Sequence, residues 1–328
     1  MGRLASHAVE VQLSRECLRE QLCRDVTVGL GSTPKSIPST WFYDERGSQL
    51  FEEITQLDEY YQTRTERSLL ALHAPELVAN TEVRSLVELG SGSCEKTRVL
   101  LDELVRKDRL EAIVPIDISF EILERSVAQL SAEYPGAQVR GLLTDFEGAL
   151  AALPAAPARL VAFLGGTIGN LRPEERAGFF HRLRGQLGPD DRFLLGCDLL
   201  KDRARLLAAY DDSLGITASF NRNVLSVMNR ELDADFELEA FDHVALWNEE
   251  ERWIEMRLRS SRDQTATLRS LDLQIEFREG EEILTEISAK FTEEGVIGEL
   301  EATGFAVQQL WSDPVGDFAL VLARPTHS

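Results

Sequence analysis

From Val83 onward the chain repeats one pattern: a short apolar strand, a glycine-rich or acidic turn, then a segment with apolar residues at helical spacing. Leu86-Val87-Glu88-Leu89 forms the first strand, Gly90-Ser91-Gly92 turns it, and Val99, Leu100, Leu101, Leu104 and Val105 mark a helix over Glu95 to Arg106. A second strand, Ala112 to Ile116, runs into Asp117 and a helix from about Phe120 to Leu130. A third, around Val139 to Leu143, ends at Asp145-Phe146. The fourth, Leu160 to Leu164, runs into Gly165-Gly166-Thr167-Ile168-Gly169-Asn170, and Pro173 starts a helix to about Leu187 before a fifth strand at Phe193 to Leu195. Units of this length imply an α/β fold, a doubly wound parallel sheet covered by helices on both faces. Ligands of such sheets sit at the strand carboxyl ends, which makes Gly90, Asp117, Asp145 and Asn170 the first candidates.

After Lys201 the rhythm changes. A helical segment from Arg203 to Asp211 gives way to strand-like stretches near Trp253 to Leu258 and Leu271 to Phe277, which read as an insertion. The core pattern resumes with a helix from Thr292 to about Ala302, and Ala306 to Trp311 with Phe318 to Ala323 predicts a closing antiparallel hairpin.

Charge narrows the function. A formal net charge of −21 would repel nucleic acid phosphates. Cys17, Cys23, Cys94 and Cys197 form no C-x-x-C pair, and with five scattered histidines they offer no metal-ligand cluster, so they read as reduced thiols. No apolar run has the roughly 18 residues of a membrane span, and the start of the chain lacks the apolar core of a signal peptide, so the expectation is a cytoplasmic protein. Met1 to Ser6 formally fits a myristoylation pattern, one short enough to arise by chance. Nothing advertises a coiled coil or an apolar surface, and a monomer is expected.

The first loop discriminates between cofactors. Glu95 stands where the dinucleotide pattern G-x-G-x-x-G has its third glycine, and a pyrophosphate there would be repelled, which argues against a nicotinamide-dependent dehydrogenase. S-adenosylmethionine carries no phosphate and its sulfonium is a cation, so it tolerates an acidic rim. Asp117 is then placed to accept the ribose hydroxyls, and Asp145 the adenine amino group, with Phe146 packed on the ring. Each acid taken singly also reads as a helix N-cap. Asn170 could hold an amine through its side-chain carbonyl, or cap the Pro173 helix. Ordinary packing would account for most of the aromatics in Trp41-Phe42-Tyr43-Asp44 and Tyr60-Tyr61.

These residues in order resemble the ergothioneine-pathway L-histidine Nα-methyltransferase family. The resemblance rests on Thr33-Pro34-Lys35, Trp41 to Asp44, Glu59 to Glu66, Glu88 to Gly92 with Glu95 to Arg98, Gly169 to Leu171, Tyr210 to Asp212, Phe220 to Asn223 and Thr285 to Ser288, and covers about Asp25 to Ala323. It implies a Rossmann-like class I methyltransferase sheet (residues 64–200 and 290–328), a smaller α+β substrate-binding domain (17–63 and 201–289) and an N-terminal extension (1–16). It also implies that Gly90, Lys96, Asp117, Asp145 and Phe146 contact S-adenosylmethionine. Tyr60, Asn170, Tyr210, Glu286 and Ser288 would hold histidine, with Tyr43, Gly165 and Met256 lining the same site. In that assignment Asn170 orients the α-amino group, Tyr210 binds the carboxylate, Glu286 and Ser288 bind the imidazole nitrogens, and Tyr60 meets the ring. Gly166 and Cys94 depart from the pattern, where serine and a small hydroxyl residue are expected.

The expected chemistry is attack of the neutral α-amine on the sulfonium methyl. Three rounds give the betaine hercynine, releasing S-adenosylhomocysteine each time, with no metal. The proton leaves through water or a tyrosine oxygen, Tyr43 being the candidate. Two alternatives are a related acceptor such as tryptophan, against which Met256 and Glu286 argue, and a non-catalytic S-adenosylmethionine-binding regulator, in which Asn170 and Tyr210 would have no purpose.

Overall fold

A computed structural model describes residues 8–151 and 153–326 of the 328; the Met1 to Ser6 pattern lies outside them. In chain order the first elements are β1 (Ala8–Val11), α1 (Arg15–Gly31), β2 (Lys35–Ser36), α2 (Glu45–Thr55), α3 (Tyr61–Ala79), β3 (Ser85–Leu89), α4 (Arg98–Arg106), β4 (Ala112–Asp117), α5 (Phe120–Glu133), β5 (Gln138–Leu143), α6 (Phe146–Ala151), β6 (Arg159–Phe163), α7 (Pro173–Gln186) and β7 (Arg192–Asp198). They are followed by α8 (Arg203–Ala208), α9 (Ile216–Leu232), β8 (Phe241–Asn248), β9 (Trp253–Ser260), β10 (Gln264–Leu268), β11 (Leu273–Phe277), β12 (Glu282–Ala289), α10 (Glu293–Ala302), β13 (Phe305–Ser312) and β14 (Phe318–Pro325). Contacts divide the chain into two units, one of residues 1–13, 62–200 and 290–328, the other of 14–61 and 201–289.

The first unit is an eight-stranded sheet in the order β1-β5-β4-β3-β6-β7-β14-β13. Every position of β3 is buried, as an apolar run in a parallel sheet covered on both faces must be. From β3 the chain steps outward through β4 and β5, then returns to the other side of β3 with β6 and β7, all parallel. The reversal puts the topological switch point at the carboxyl ends of β3 and β6, where the Gly90 loop and the Gly165 loop begin. β14 runs antiparallel to both β7 and β13, as the closing hairpin predicts.

Some boundaries differ from expectation: the helix expected from Arg203 to Asp211 ends at Ala208. Residues 8–11, expected in an extension outside both domains, form β1 and pair in parallel with β5, where Glu10 meets Arg140. The helix expected from Glu95 starts at Arg98, because Cys94 adopts a left-handed φ of 54° and the Thr97 hydroxyl is bonded to Glu88 Oε2 at 2.8 Å.

The second unit has a four-stranded sheet, β2-β12-β9-β8, and a separate β10-β11 hairpin. Its core joins Leu22 and Val26 of α1, Phe42, Phe220 and Val224 of α9, and Leu258 and Ile283 of the sheet. Three side chains cap its helix starts: Ser14 Oγ accepts from the Cys17 N–H at 3.2 Å, Asp44 Oδ1 from the Gly47 N–H at 2.8 Å, and Asp202 Oδ1 from the Arg205 N–H at 3.2 Å. The strands β9 and β11 are apparent in the sequence but α9 is not, because its buried side carries Asn221 and Asn223 where a helical pattern calls for apolar residues.

Candidate active site

In the first unit the glycine loop leaves β3 with left-handed φ angles at Gly90 (67°) and Gly92 (50°), a conformation that glycine adopts without a Cβ penalty. Asp117, last residue of β4, fastens this loop: Oδ2 accepts from the Gly92 N–H at 2.8 Å and Oδ1 from the Ser119 N–H at 2.9 Å. Burial pushes its carboxyl above the usual range, against the opposing pull of those two N–H groups and that of Ile118. Asp145 does serve as a helix cap, since its Oδ1 accepts from the Gly148 N–H at 2.8 Å, and its half-buried position leaves the second oxygen at the same strand end. Phe146 stands edge-on to Phe163, centroids 5.0 Å apart, and its ring lies 3.5 Å from where a Cβ at Gly90 would be. An exposed backbone at Gly90, a carboxylate at Asp117 and an aromatic ring at Phe146 therefore surround one end of the sheet, a donor set that fits an adenosyl group.

Below the loop, Glu88 is almost wholly buried, and desolvation pushes its carboxyl up to about 7 although the Thr97 hydroxyl and Lys96 charge oppose it. The Cys94 thiol is pushed well up by burial and by Glu88. Gly165 and Asn170 bound the loop after β6. Asn170 caps nothing: α7 starts from Arg172, whose backbone N–H donates to Glu175 Oε2 at 2.7 Å. The Asn170 amide is half-buried and makes no hydrogen bond among the described residues, so its polar atoms remain available to a ligand.

The second unit gathers the other candidates from five segments. Glu286 and Ser288 are two residues apart on β12 and share a sheet face; Met256 on β9 is the direct partner of Glu286. Tyr210, just after α8, shares a hydrogen bond of 2.7 Å with Ser288 Oγ. The Tyr60 ring meets Tyr210 edge-on at 6.5 Å, Phe51 meets Tyr60 at 6.1 Å, and Tyr43 meets Phe51 at 5.7 Å and Phe220 at 5.5 Å. The six candidates of this unit are thus linked by sheet pairing, one hydrogen bond and a chain of aromatic contacts. Tyr60, Tyr210 and Met256 belong to the same buried core cluster as Trp41 and Phe42, and Tyr43 packs against it.

Supporting residues in this unit went unassigned in the sequence. Asn221 donates to His243 Nδ1 at 2.8 Å and to the Arg257 carbonyl at 3.0 Å, while its Oδ1 accepts from Thr285 Oγ1 at 2.7 Å. Because the amide nitrogen can only donate, His243 accepts on Nδ1 and donates from Nε2 to the Tyr210 carbonyl at 2.8 Å. Burial holds the His243 imidazole below its usual range, in keeping with this neutral tautomer. The network runs from the residue before Glu286 to the backbone of Tyr210. Its only sequence signal is the pair of amides in Phe220 to Asn223, since buried amides need hydrogen-bond partners.

Among the described residues no group of three or more His, Cys, Asp or Glu could hold a metal ion, and no helix is long and apolar enough to cross a membrane. All four cysteines are free.

The strand order, the switch-point glycine loop and the acid at the end of β4 define a class I, S-adenosylmethionine-dependent methyltransferase. Residues 22–325 match the family model described as histidine-specific methyltransferase, SAM-dependent, and the chain belongs to that family. The histidine N-alpha-methyltransferase of Mycolicibacterium smegmatis is 49% identical over 311 residues, 95% of this chain and 97% of that protein. The protein of the same name from Mycobacterium tuberculosis is 49% identical over 302 residues, 92% of this chain and 94% of that one. Ergothioneine biosynthesis protein 1 of Neurospora crassa is 36% identical over 201 residues, 60% of this chain and 23% of that longer protein.

Proposed function

We infer that the protein methylates the α-amino group of L-histidine three times, through the mono- and dimethyl forms, to give hercynine, the first step of ergothioneine biosynthesis. S-adenosylmethionine supplies an electrophilic methyl group on a sulfonium already activated by its charge, and leaves as S-adenosylhomocysteine. Gly90, Lys96, Asp117, Asp145 and Phe146 hold it. Asn170 orients the amine, Tyr210 takes the carboxylate, and Glu286 with Ser288 takes the imidazole nitrogens, with Tyr60, Gly165 and Met256 lining the site. In this reading residues 64–200 and 290–328 serve the cofactor, residues 17–63 and 201–289 serve the substrate, and the enzyme is a cytoplasmic monomer that needs no metal. Alignment of two bound reactants can account for roughly 7–11 kcal/mol of barrier lowering, so no strong general base is required, and Tyr43 is the candidate route for the proton.

The observation that carries the choice of acceptor is Glu286 and Ser288 on one face of β12 with Met256 directly opposite, an anionic acceptor and a hydroxyl suited to a ring with two nitrogens. Mass spectrometry of the purified protein with S-adenosylmethionine and a panel of free amino acids tests it. One, two and three added methyl groups on histidine alone are expected. A ladder on tryptophan or another amine would keep the enzyme class and overturn the acceptor assignment; cofactor binding without any product would favour a regulator.

A further inference from the structure

Helix α3 carries a carboxylate that none of these roles uses. Glu66 has no exposed surface, yet its position is defined by three polar contacts: both oxygens accept from the Gly165 N–H, at 2.8 and 3.0 Å, and Oε2 also receives the Lys96 ammonium. Room for it is made by Gly196 of β7, where a Cβ would fall 2.0 Å from Glu66 Oε1 and 3.2 Å from its carboxyl carbon. Lys96, by contrast, keeps 22% of its side chain exposed. One buried carboxylate thus joins the helix-ward end of the glycine loop to Gly165 in the loop after β6, the two segments that flank the switch point.

Stability alone is a poor reason for such an arrangement, because desolvating an ion pair costs several kcal/mol and apolar replacements of similar volume are often neutral or stabilising. A geometric reason is better. S-adenosylmethionine has a single anionic group, its amino-acid carboxylate, and an ammonium on a flexible four-carbon stem meets that group in one place only if something holds it. We propose that Glu66 is a positioning residue for the methyl donor, which fixes the Lys96 ammonium against the cofactor carboxylate and at the same time anchors the loop that carries Asn170. The proposal rests on Lys96 being a cofactor contact.

Calorimetric titration of S-adenosylhomocysteine into the full chain tests both statements with four proteins: unmodified, Lys96→Gln, Glu66→Gln and the double variant. Glutamine at 66 keeps an acceptor for Gly165 but turns an amide toward the ammonium. Each single change should weaken binding about 10- to 100-fold, with the double variant no weaker than Lys96→Gln alone. Weak binding by Lys96→Gln but ordinary binding by Glu66→Gln would overturn the role of Glu66, as would losses that multiply in the double variant, since both would mean that Glu66 does not act through Lys96. Ordinary binding by Lys96→Gln would overturn the cofactor contact itself and the proposal with it. Should Glu66→Gln fail to fold, Glu66→Asp, which retains the charge, takes its place: affinity closer to the unmodified protein than to Lys96→Gln is expected, and affinity no better than Lys96→Gln overturns the proposal.

Discussion

The two units assemble their candidate residues by different means. The first places its groups at the ends of neighbouring strands of one sheet, within a few residues of β3, β4, β5 and β6, and relies on backbone N–H groups, glycine turns and carboxylates. The second collects single side chains from five separated segments and joins them by aromatic edges and a buried amide–imidazole network. A sheet of fixed topology presents its strand ends wherever it forms, so the first kind of site follows from the fold. The second exists only once distant packing is complete, and its specificity can change at one side chain without disturbing the fold.

That contrast can be broken most directly at Asp117. Asp117→Ala removes the acceptor for two backbone N–H groups and, in the proposed reading, for the ribose, and hydrogen bonds to a charged group contribute about 1.5–3 kcal/mol each. S-adenosylhomocysteine affinity should fall about 10²- to 10⁴-fold by calorimetry while the near-ultraviolet dichroism of the tyrosine array persists. A loss below about tenfold would mean that the cofactor half does not depend on its strand ends.

Acid should act on two groups, Glu88 and His243, one in each unit, with opposite signs. Glu88 titrates near 7 in the fold against 4.5 in the unfolded chain, so between those values the folded state holds the extra proton, and stability declines as pH rises through that window and then levels off. His243 is held below 6.5, so as pH falls through 6.5 the unfolded chain takes up a proton first and stability declines on acidification. Glu88→Gln should therefore gain up to about 3 kcal/mol on the unmodified protein between pH 4.5 and 7, read from denaturant melts at a series of pH values. A difference that stays constant with pH would show Glu88 titrating as an ordinary carboxylate.

The acceptor half is sharpened by Glu286→Ala, which should cost histidine about 10- to 150-fold in kcat/KM and leave S-adenosylhomocysteine affinity unchanged. Undiminished histidine turnover would remove Glu286 from the imidazole pocket.

The same contrast explains what could be read in advance. The strand ends at Gly90, Asp117 and Asp145 are legible because a glycine or an acid follows an apolar run within a residue or two, and Asn170 because it closes the glycine-rich loop after another such run. The start of α4 is not, since it depends on Thr97 bonding to a glutamate nine positions earlier. Glu66 sits 99 residues from Gly165, and no local pattern distinguishes it from the other acids on a helix surface. In the second unit, Tyr60, Tyr210, Met256, Glu286 and Ser288 have no shared spacing, and only a resemblance to a known family assembles them. α9 is obscured because Asn221 and Asn223 serve the network and the α2 cap: Asn223 Nδ2 donates to Asp44 Oδ1 at 2.7 Å.

The position of β14 between β7 and β13 has a consequence for the order in which the nascent chain can fold. A ribosome delivers the whole second unit, through Ala289, before either β13 or β14 has been made. Throughout that interval β7 is the last strand of its sheet, with one row of backbone groups unpaired, the kind of border that recruits strands from other chains. Messages cut short after residue 289 would yield a product that has a complete second unit but carries an adhesive flank.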